Sequence, residues 1–124
     1  MRLLCWLHDH PRFKRLVIYS EDDGAYLFPY ESEQDSNACG DWWFESVKDA
    51  QEAARDDFGA RDEDWFAIAD PAPHCQHDWI ASVRVPGREV GQPRFGSLEV
   101  LREGTWVPLD PTRPSGLPVP RKPM

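Results

Sequence analysis

The sequence predicts an α+β domain, in which a mixed or mainly antiparallel sheet of five to six short strands is packed by one central helix. Short apolar runs rich in β-branched and aromatic residues recur between clusters of Gly, Pro and Asp, as strands do. One segment, residues 47–58, carries apolar side chains at helical spacing. The chain of 124 residues is long enough for a single globular domain, which we place at residues 1–109. A Pro-rich flexible tail is predicted at residues 110–124.

The first predicted hairpin follows the N-terminal residues. Its first strand covers residues 13–20, whose continuous apolar run suits a strand that is covered on both faces. Asp23-Gly24 then predicts a tight turn, because glycine adopts positive φ without strain. The return strand covers residues 25–30 and contains Pro29, which has no backbone N–H to donate. That proline therefore indicates a sheet edge or a bulge.

The central helix is predicted from its periodicity and from both of its ends. Ser46 can cap the N-terminus, with Asp49 three residues later to complete a capping box. Gly59 follows the last helical position and is typical of a C-terminal stop. The apolar residues that share one helix face are Val47, Ala50, Ala54 and Phe58. Because two of these are alanines, we expect the helix to lie close to a sheet.

Four further stretches predict strands. Residues 65–69 form a short apolar run that ends at a Pro-rich segment. Residues 79–85 alternate apolar and polar side chains, as in a strand with one buried face. Residues 98–101 and 105–109 predict a second hairpin, with its turn at the Glu-Gly pair of residues 103–104.

Acidic residues are concentrated in the middle of the chain. Sixteen of the 22 lie within residues 21–70, which hold three basic residues and so carry a formal charge of −13, against −8 for the whole chain. Such a block repels nucleic acid and anionic membranes and attracts basic protein partners. No window approaches the ~18 apolar residues that a membrane span needs. Six basic residues outside this block could pair with it within one chain or across a homodimer: Arg12, Lys14, Arg15, Arg84, Arg88 and Arg94.

The N-terminus and the cysteines predict the compartment. The apolar start of the chain lasts about five residues, which is shorter than the core of an export signal. Three widely spaced cysteines are an odd number and do not suggest a disulfide framework. We therefore expect a cytoplasmic protein with reduced thiols.

The predicted helix has an acidic outer face next to a pair of tryptophans. Asp56 and Asp57 lie in its last turn, where the helix dipole favours cations and each acid costs about 0.3–1 kcal/mol. Acids kept against this local preference are candidates for a functional role. The candidate partner-binding residues are Trp42, Trp43, Asp49, Glu52, Asp56 and Asp57. They suggest a non-catalytic domain that binds a basic protein, with Trp43 as the anchor and the acids as a charged rim.

Two other interpretations of this surface remain open. The acids can be an ordinary solvated helix face, or they can mimic the charge of nucleic acid and occupy a DNA- or RNA-binding protein. Immunity proteins and antitoxins, which are small acidic bacterial domains that neutralise basic toxins, provide an analogy for the binding hypothesis.

A second candidate site is rich in possible metal ligands. Five consecutive residues contain two imidazoles, a thiol and a carboxylate: His74, Cys75, His77 and Asp78. Cys5 and His8 could supply the second half of a zinc site with two thiolates and two imidazoles. Cys75 and His77 could also act as nucleophile and base, which leaves a metal-dependent hydrolase as an alternative function. The simpler interpretation is that these side chains are buried or hydrogen-bond their own loop.

The segment Cys-Gln-His-Asp-Trp-Ile at residues 75–80, continued by residues 83–88, resembles a set of small uncharacterised bacterial proteins. In these, as here, a Trp-rich stretch and a helix that ends in Phe-Gly come first in the sequence. The resemblance extends over residues 12–109. It implies a bacterial α+β domain and no particular activity.

Overall fold

The computed structural model describes residues 1–123, which form an α+β fold of eight strands and one α-helix. The predicted α+β class is confirmed. The expectation of one sheet with five to six strands is wrong, because the eight strands form two separate sheets. The elements are β1 Arg2–Trp6, β2 Arg15–Glu21, β3 Gly24–Tyr30, β4 Trp42–Phe44, α1 Val47–Phe58, β5 Phe66–Ile68, β6 Val83–Arg84, β7 Leu98–Arg102 and β8 Thr105–Leu109.

The strands of the described residues form two sheets. The larger has the order β4-β3-β2-β1-β5, and the smaller has the order β6-β7-β8. Every pairing between these strands is antiparallel. The strands β4 and β5 are therefore the two edges of the larger sheet.

Two strands of the larger sheet are missing from the sequence prediction. One is β1, which pairs with both β2 and β5 and whose Leu4 and Cys5 are fully buried. The other is β4, a strand of three residues that pairs with the start of β3. Runs this short carry too little periodicity to be assigned alone. Their extended conformation is stabilised by partners that are distant in sequence.

The predicted helix is confirmed in its bounds and at both ends. Ser46 Oγ accepts a hydrogen bond from the backbone N–H of Asp49 at 3.0 Å, and Gly59 ends the helix with a φ of 72°. Ala50 and Ala54 are fully buried. They lie in one cluster with residues of β1, β2 and β3: Cys5, Leu16, Ile18, Ala25 and Leu27. The small alanine side chains let α1 approach this face of the sheet closely.

The two hairpins differ in how they use glycine. Between β2 and β3 the turn residues are Asp22 and Asp23, and Gly24 is the first residue of β3 with a φ outside the positive range. The predicted turn role of Gly24 is therefore wrong. Between β7 and β8, Glu103 and Gly104 have φ values of 50° and 80°, which confirms the second hairpin and its turn.

The face of the larger sheet that is remote from α1 is covered by irregular segments. The strand predicted at residues 79–85 is correct only in part, since pairing is confined to β6. The backbone N–H groups of Ile80 and Ala81 donate instead to the two carboxylate oxygens of Asp35, each at 2.8 Å. A buried side chain thus takes the hydrogen bonds that a neighbouring strand would otherwise take.

The residues that the sequence analysis assigns to a flexible tail also contact this face. Val119 is 7% exposed and lies in a cluster with Leu4 and Trp6. Trp6 Nε1 donates to the carbonyl of Pro120 at 2.8 Å, and the Arg121 guanidinium lies 3.5 Å from the centre of the Trp6 ring. These contacts attach the C-terminal segment to β1.

Candidate partner-binding surface

Trp42 and Trp43 belong to β4, an edge of the larger sheet. They are 47% and 50% exposed. Within the described residues, β4 pairs with β3 alone, so its outer backbone groups have no strand partner. Exposed apolar edge strands are surfaces that native proteins usually protect, because they readily pair with other chains. This edge is therefore a candidate docking surface.

The two tryptophans lie on opposite faces of the sheet, as consecutive residues of a strand do. The Trp42 ring is 5.6 Å from the ring of Phe58, at the C-terminal end of α1. Trp43 pairs in register with Tyr26, a residue of the opposite face. Trp42, rather than the predicted anchor Trp43, is therefore the tryptophan next to the helix.

The predicted charged rim lies on the exposed side of α1. All four of its carboxylates are exposed: Asp49, Glu52, Asp56 and Asp57. Arg55 lies 3.8 Å from Asp56 and 3.3 Å from Asp62, and among residues 1–123 no other ion pair reaches the four rim acids. Exposed ion pairs of this kind contribute little to the stability of the protein. The helix therefore presents a net negative charge beside Trp42, and we call these four residues the acidic rim.

Aromatic rings that the sequence analysis does not identify lie on the face that carries Trp43. The ring of Tyr26 is 6.5 Å from that of Tyr19 and 6.3 Å from that of Phe28, and the planes are within 12° and 5° of parallel. His77 stacks on Tyr19 at 3.7 Å and 7°. The alternation of aromatic residues along β3 is a signal for part of this row. The positions of Tyr19 and His77 depend on pairing and loop placement.

The two cysteines proposed as metal ligands lie in different surroundings. Cys5 is fully buried in the cluster beneath α1, and burial, with a smaller contribution from Asp64, raises the pKa of its thiol to about 12. Cys75 is also buried, with Sγ donating to the carbonyl of Pro73 at 3.7 Å, and burial raises its pKa. In both cases burial favours the thiol over the thiolate in the metal-free protein.

The proposed imidazole ligands have partners of other kinds. His8 Nε2 is 2.9 Å from a carboxylate oxygen of Asp64 and 2.8 Å from an Arg61 guanidinium nitrogen. His74 is exposed, with a φ of 66°. Within residues 1–123, no group of three or more His, Cys, Asp or Glu side chains is placed to hold a metal ion.

Asp78 and His77 help to hold their segment on the sheet. Asp78 Oδ2 accepts a hydrogen bond from the backbone N–H of Ala38 at 3.2 Å, and the hydroxyl of Tyr30 donates to the Asp78 carbonyl. Burial raises the pKa of the Asp78 carboxyl. Burial and the nearby charge of Arg2 lower the pKa of His77, which favours the neutral form of its ring. These contacts connect the segment to β3 and to the loop before β4.

Comparison with protein-family models, curated proteins and solved structures found no match to this chain. In the described part of the chain, no helix combines the length and the apolar character needed to cross a membrane. Function is therefore inferred from the surface chemistry.

The position of the Trp43 ring depends on Gly24. A Cβ at Gly24 would overlap the indole of Trp43, whose atoms are its three nearest neighbours, and the φ of Gly24 lies outside the positive range that disfavours alanine. We expect Gly24→Ala to displace the indole and to destabilise the protein by about 1–3 kcal/mol. The shift of the Trp43 indole N–H resonance and a urea titration measure the two effects.

The matched control is Gly40→Ala, because a Cβ at Gly40 meets no atom within 4 Å. It should leave both the indole resonance and the stability close to those of the parent. If the Gly24 and Gly40 variants have the same indole N–H shift and the same stability, the packing of the Trp43 ring against Gly24 is contradicted.

Proposed function

We propose that this chain is a non-catalytic, cytoplasmic binding domain that engages a basic protein through the β4 edge and the acidic rim of α1. The observation that carries the proposal is the pair of half-exposed tryptophans on an edge strand beside an exposed acidic helix. Tryptophans are typical interface anchors, and carboxylates steer and orient basic partners. Immunity proteins and antitoxins that neutralise basic toxins are the functional class with this chemistry.

A nucleic-acid charge mimic is the second candidate, because it would use the same exposed carboxylates. It differs in its partner, which would be a protein that binds DNA or RNA through a basic groove. The zinc-site and hydrolase alternatives draw no comparable support from the contacts of Cys75 and His77.

The proposal is tested by capture from a lysate of the source cells with the tagged full chain, washed in rising salt and analysed by mass spectrometry. We expect one basic protein to be retained at low salt and released as salt rises. Asp56→Asn combined with Asp57→Asn should slow its association by about tenfold at low salt and flatten the salt dependence, since steering depends on these charges.

The matched control combines Glu33→Gln with Glu103→Gln. Both are exposed acids outside the acidic rim, so this variant has the same net charge as the double Asp variant. It should bind like the parent. Identical kinetics for the two double variants, or no retained protein at low salt, would overturn the proposal. Competition by DNA or RNA for the captured protein would favour the charge mimic.

A further inference from the structure

A small pocket opens over Tyr26, the residue that pairs in register with Trp43, on the face of the sheet that is remote from α1. Its volume is about 210 Å³, which is below the roughly 300–1,000 Å³ of sites that bind small molecules and suits the head of one side chain. Its lining residues come from β2, β3, the segment before β4 and the segment before β6. They are Tyr19, Tyr26, Phe28, Asp41, His77 and Asp78.

The pocket combines aromatic faces with carboxylates. The rings of Tyr19, Tyr26 and Phe28 are nearly parallel, with centres 6.3–6.5 Å apart. Aromatic faces attract cations, and a planar cation can lie flat against them. Asp41 and Asp78 add negative charge at the same place. The ring of His77 is stacked on Tyr19, and burial and the charge of Arg2 lower its pKa, which favours the uncharged form.

Two arginines of this chain stack on aromatic rings of the same chain, one of them on the row that lines the pocket. The Arg15 guanidinium lies 3.7 Å from the centre of the Tyr30 ring, and Tyr30 follows Phe28 on the same face of β3. Arg84 lies 3.6 Å from the Trp106 ring in the smaller sheet. Tyr30, the last ring of the aromatic row along β3, is therefore covered by Arg15. The other two rings of that row, Tyr26 and Phe28, line the pocket.

We propose that this pocket receives the guanidinium of an arginine side chain of the basic partner. This inference rests on the proposed function and names the partner group that would enter beside the β4 edge. A planar guanidinium can stack on the rings and donate in parallel to a carboxylate, whereas a lysine ammonium is a compact point charge that does neither. Because Tyr26 pairs in register with Trp43, a chain bound along β4 passes next to the pocket.

The test uses the full chain and the capped peptide Gly-Gly-Arg-Gly-Gly, titrated into the millimolar range and followed by the ring resonances of Tyr26 and His77. We expect saturable shifts. The peptide with citrulline in place of arginine, which keeps the shape and loses the charge, should bind at least tenfold more weakly, and the lysine peptide several-fold more weakly. Equal binding of all three peptides, or no saturable shift at these rings, would overturn the pocket.

Variants of the pocket separate its chemistry from folding. Tyr26→Leu should weaken the arginine peptide by at least tenfold, while Tyr26→Phe, which keeps the ring, should retain most of the binding. Asp41→Asn changes an exposed residue and should also weaken it. Arginine binding that is unaffected by both Tyr26→Leu and Asp41→Asn would contradict the assignment.

The two proposals fail separately. The Asp56/Asp57 double variant should associate with the partner about tenfold more slowly at low salt and still bind the arginine peptide like the parent, because those carboxylates do not line the pocket. If the partner is captured but the arginine peptide does not bind, the proposal of an arginine pocket is overturned and the proposed function is retained. Arginine binding without a basic partner would overturn the proposed function alone.

Discussion

Asp35→Ala is expected to lower the free energy of unfolding by about 3–5 kcal/mol. Asp35 is 1% exposed, and its carboxylate accepts the backbone N–H groups of both Ile80 and Ala81. Alanine would leave these two partly buried donors without partners, at about 1–3 kcal/mol each. It would also remove the negative charge that faces the buried guanidinium groups of Arg2 and Arg15.

The same residue joins three segments of the fold. Its backbone N–H donates to the carbonyl of Leu117, and its carbonyl accepts from the N–H of Ser115, so the C-terminal segment meets the sheet cover here. Burial raises the pKa of the Asp35 carboxyl, and the two amide hydrogen bonds oppose that rise. The two amide hydrogen bonds, together with the charges of Arg15 and Arg2, therefore offset part of the cost of burying this carboxylate.

Urea denaturation of Asp35→Ala and Asp35→Asn measures this effect. Asparagine keeps one acceptor oxygen, so its loss of stability should fall between those of the parent and the alanine variant. Glu33→Ala, an exposed acid two residues away, is the control and should stay within about 0.5 kcal/mol of the parent. A loss below about 1 kcal/mol for Asp35→Ala would contradict the role given to this carboxylate.

Local sequence signals predict the helix and the second hairpin because their geometry is determined by neighbouring residues. Ser46 and Gly59 have side-chain and backbone properties that suit only the ends of a helix, and Glu103-Gly104 suits a tight turn. The strand β1 gives no such signal. Its five residues are extended because β2 and β5 pair with them, and β5 is about sixty residues away in sequence.

The candidate site also has some features that the sequence predicts and others that depend on contacts between distant residues. The exposure of the acidic rim follows from helical periodicity, so the sequence alone predicts it. The separation of Trp42 from Trp43 onto opposite faces follows from strand geometry, which requires knowing that β4 is a strand. The aromatic pocket could not be predicted from helical periodicity or from strand alternation. Tyr19 and Tyr26 are brought together by the register of β2 and β3, and His77 by the packing of its loop on Tyr19.

Trp42→Ala is expected to weaken binding of the basic partner by about 2–4 kcal/mol, or roughly 30- to 1,000-fold in Kd. Trp42 is held beside Phe58, so it reaches the partner in an ordered position next to the acidic rim. Because about half of the side chain is buried, the same change should also lower the free energy of unfolding by about 1–3 kcal/mol. Calorimetric titration with the purified partner gives the affinity, and urea denaturation gives the stability.

Phe95→Ala is the control for loss of an exposed aromatic ring. Phe95 is 77% exposed and lies between β6 and β7, outside the β4 edge and the acidic rim. It should bind the partner like the parent, and Trp42→Phe should lie between the parent and Trp42→Ala. A Trp42→Ala variant that binds within threefold of the parent would place the contact elsewhere.

A double-mutant cycle with Trp43→Ala shows how the partner holds the edge. The two rings lie on opposite faces of β4, so a partner that contacts both should lose both contributions almost additively. A partner confined to the helix side should be insensitive to Trp43→Ala. Since the arginine pocket lies on the Trp43 face, sensitivity to both changes is the outcome that joins the acidic rim and the pocket into one binding surface.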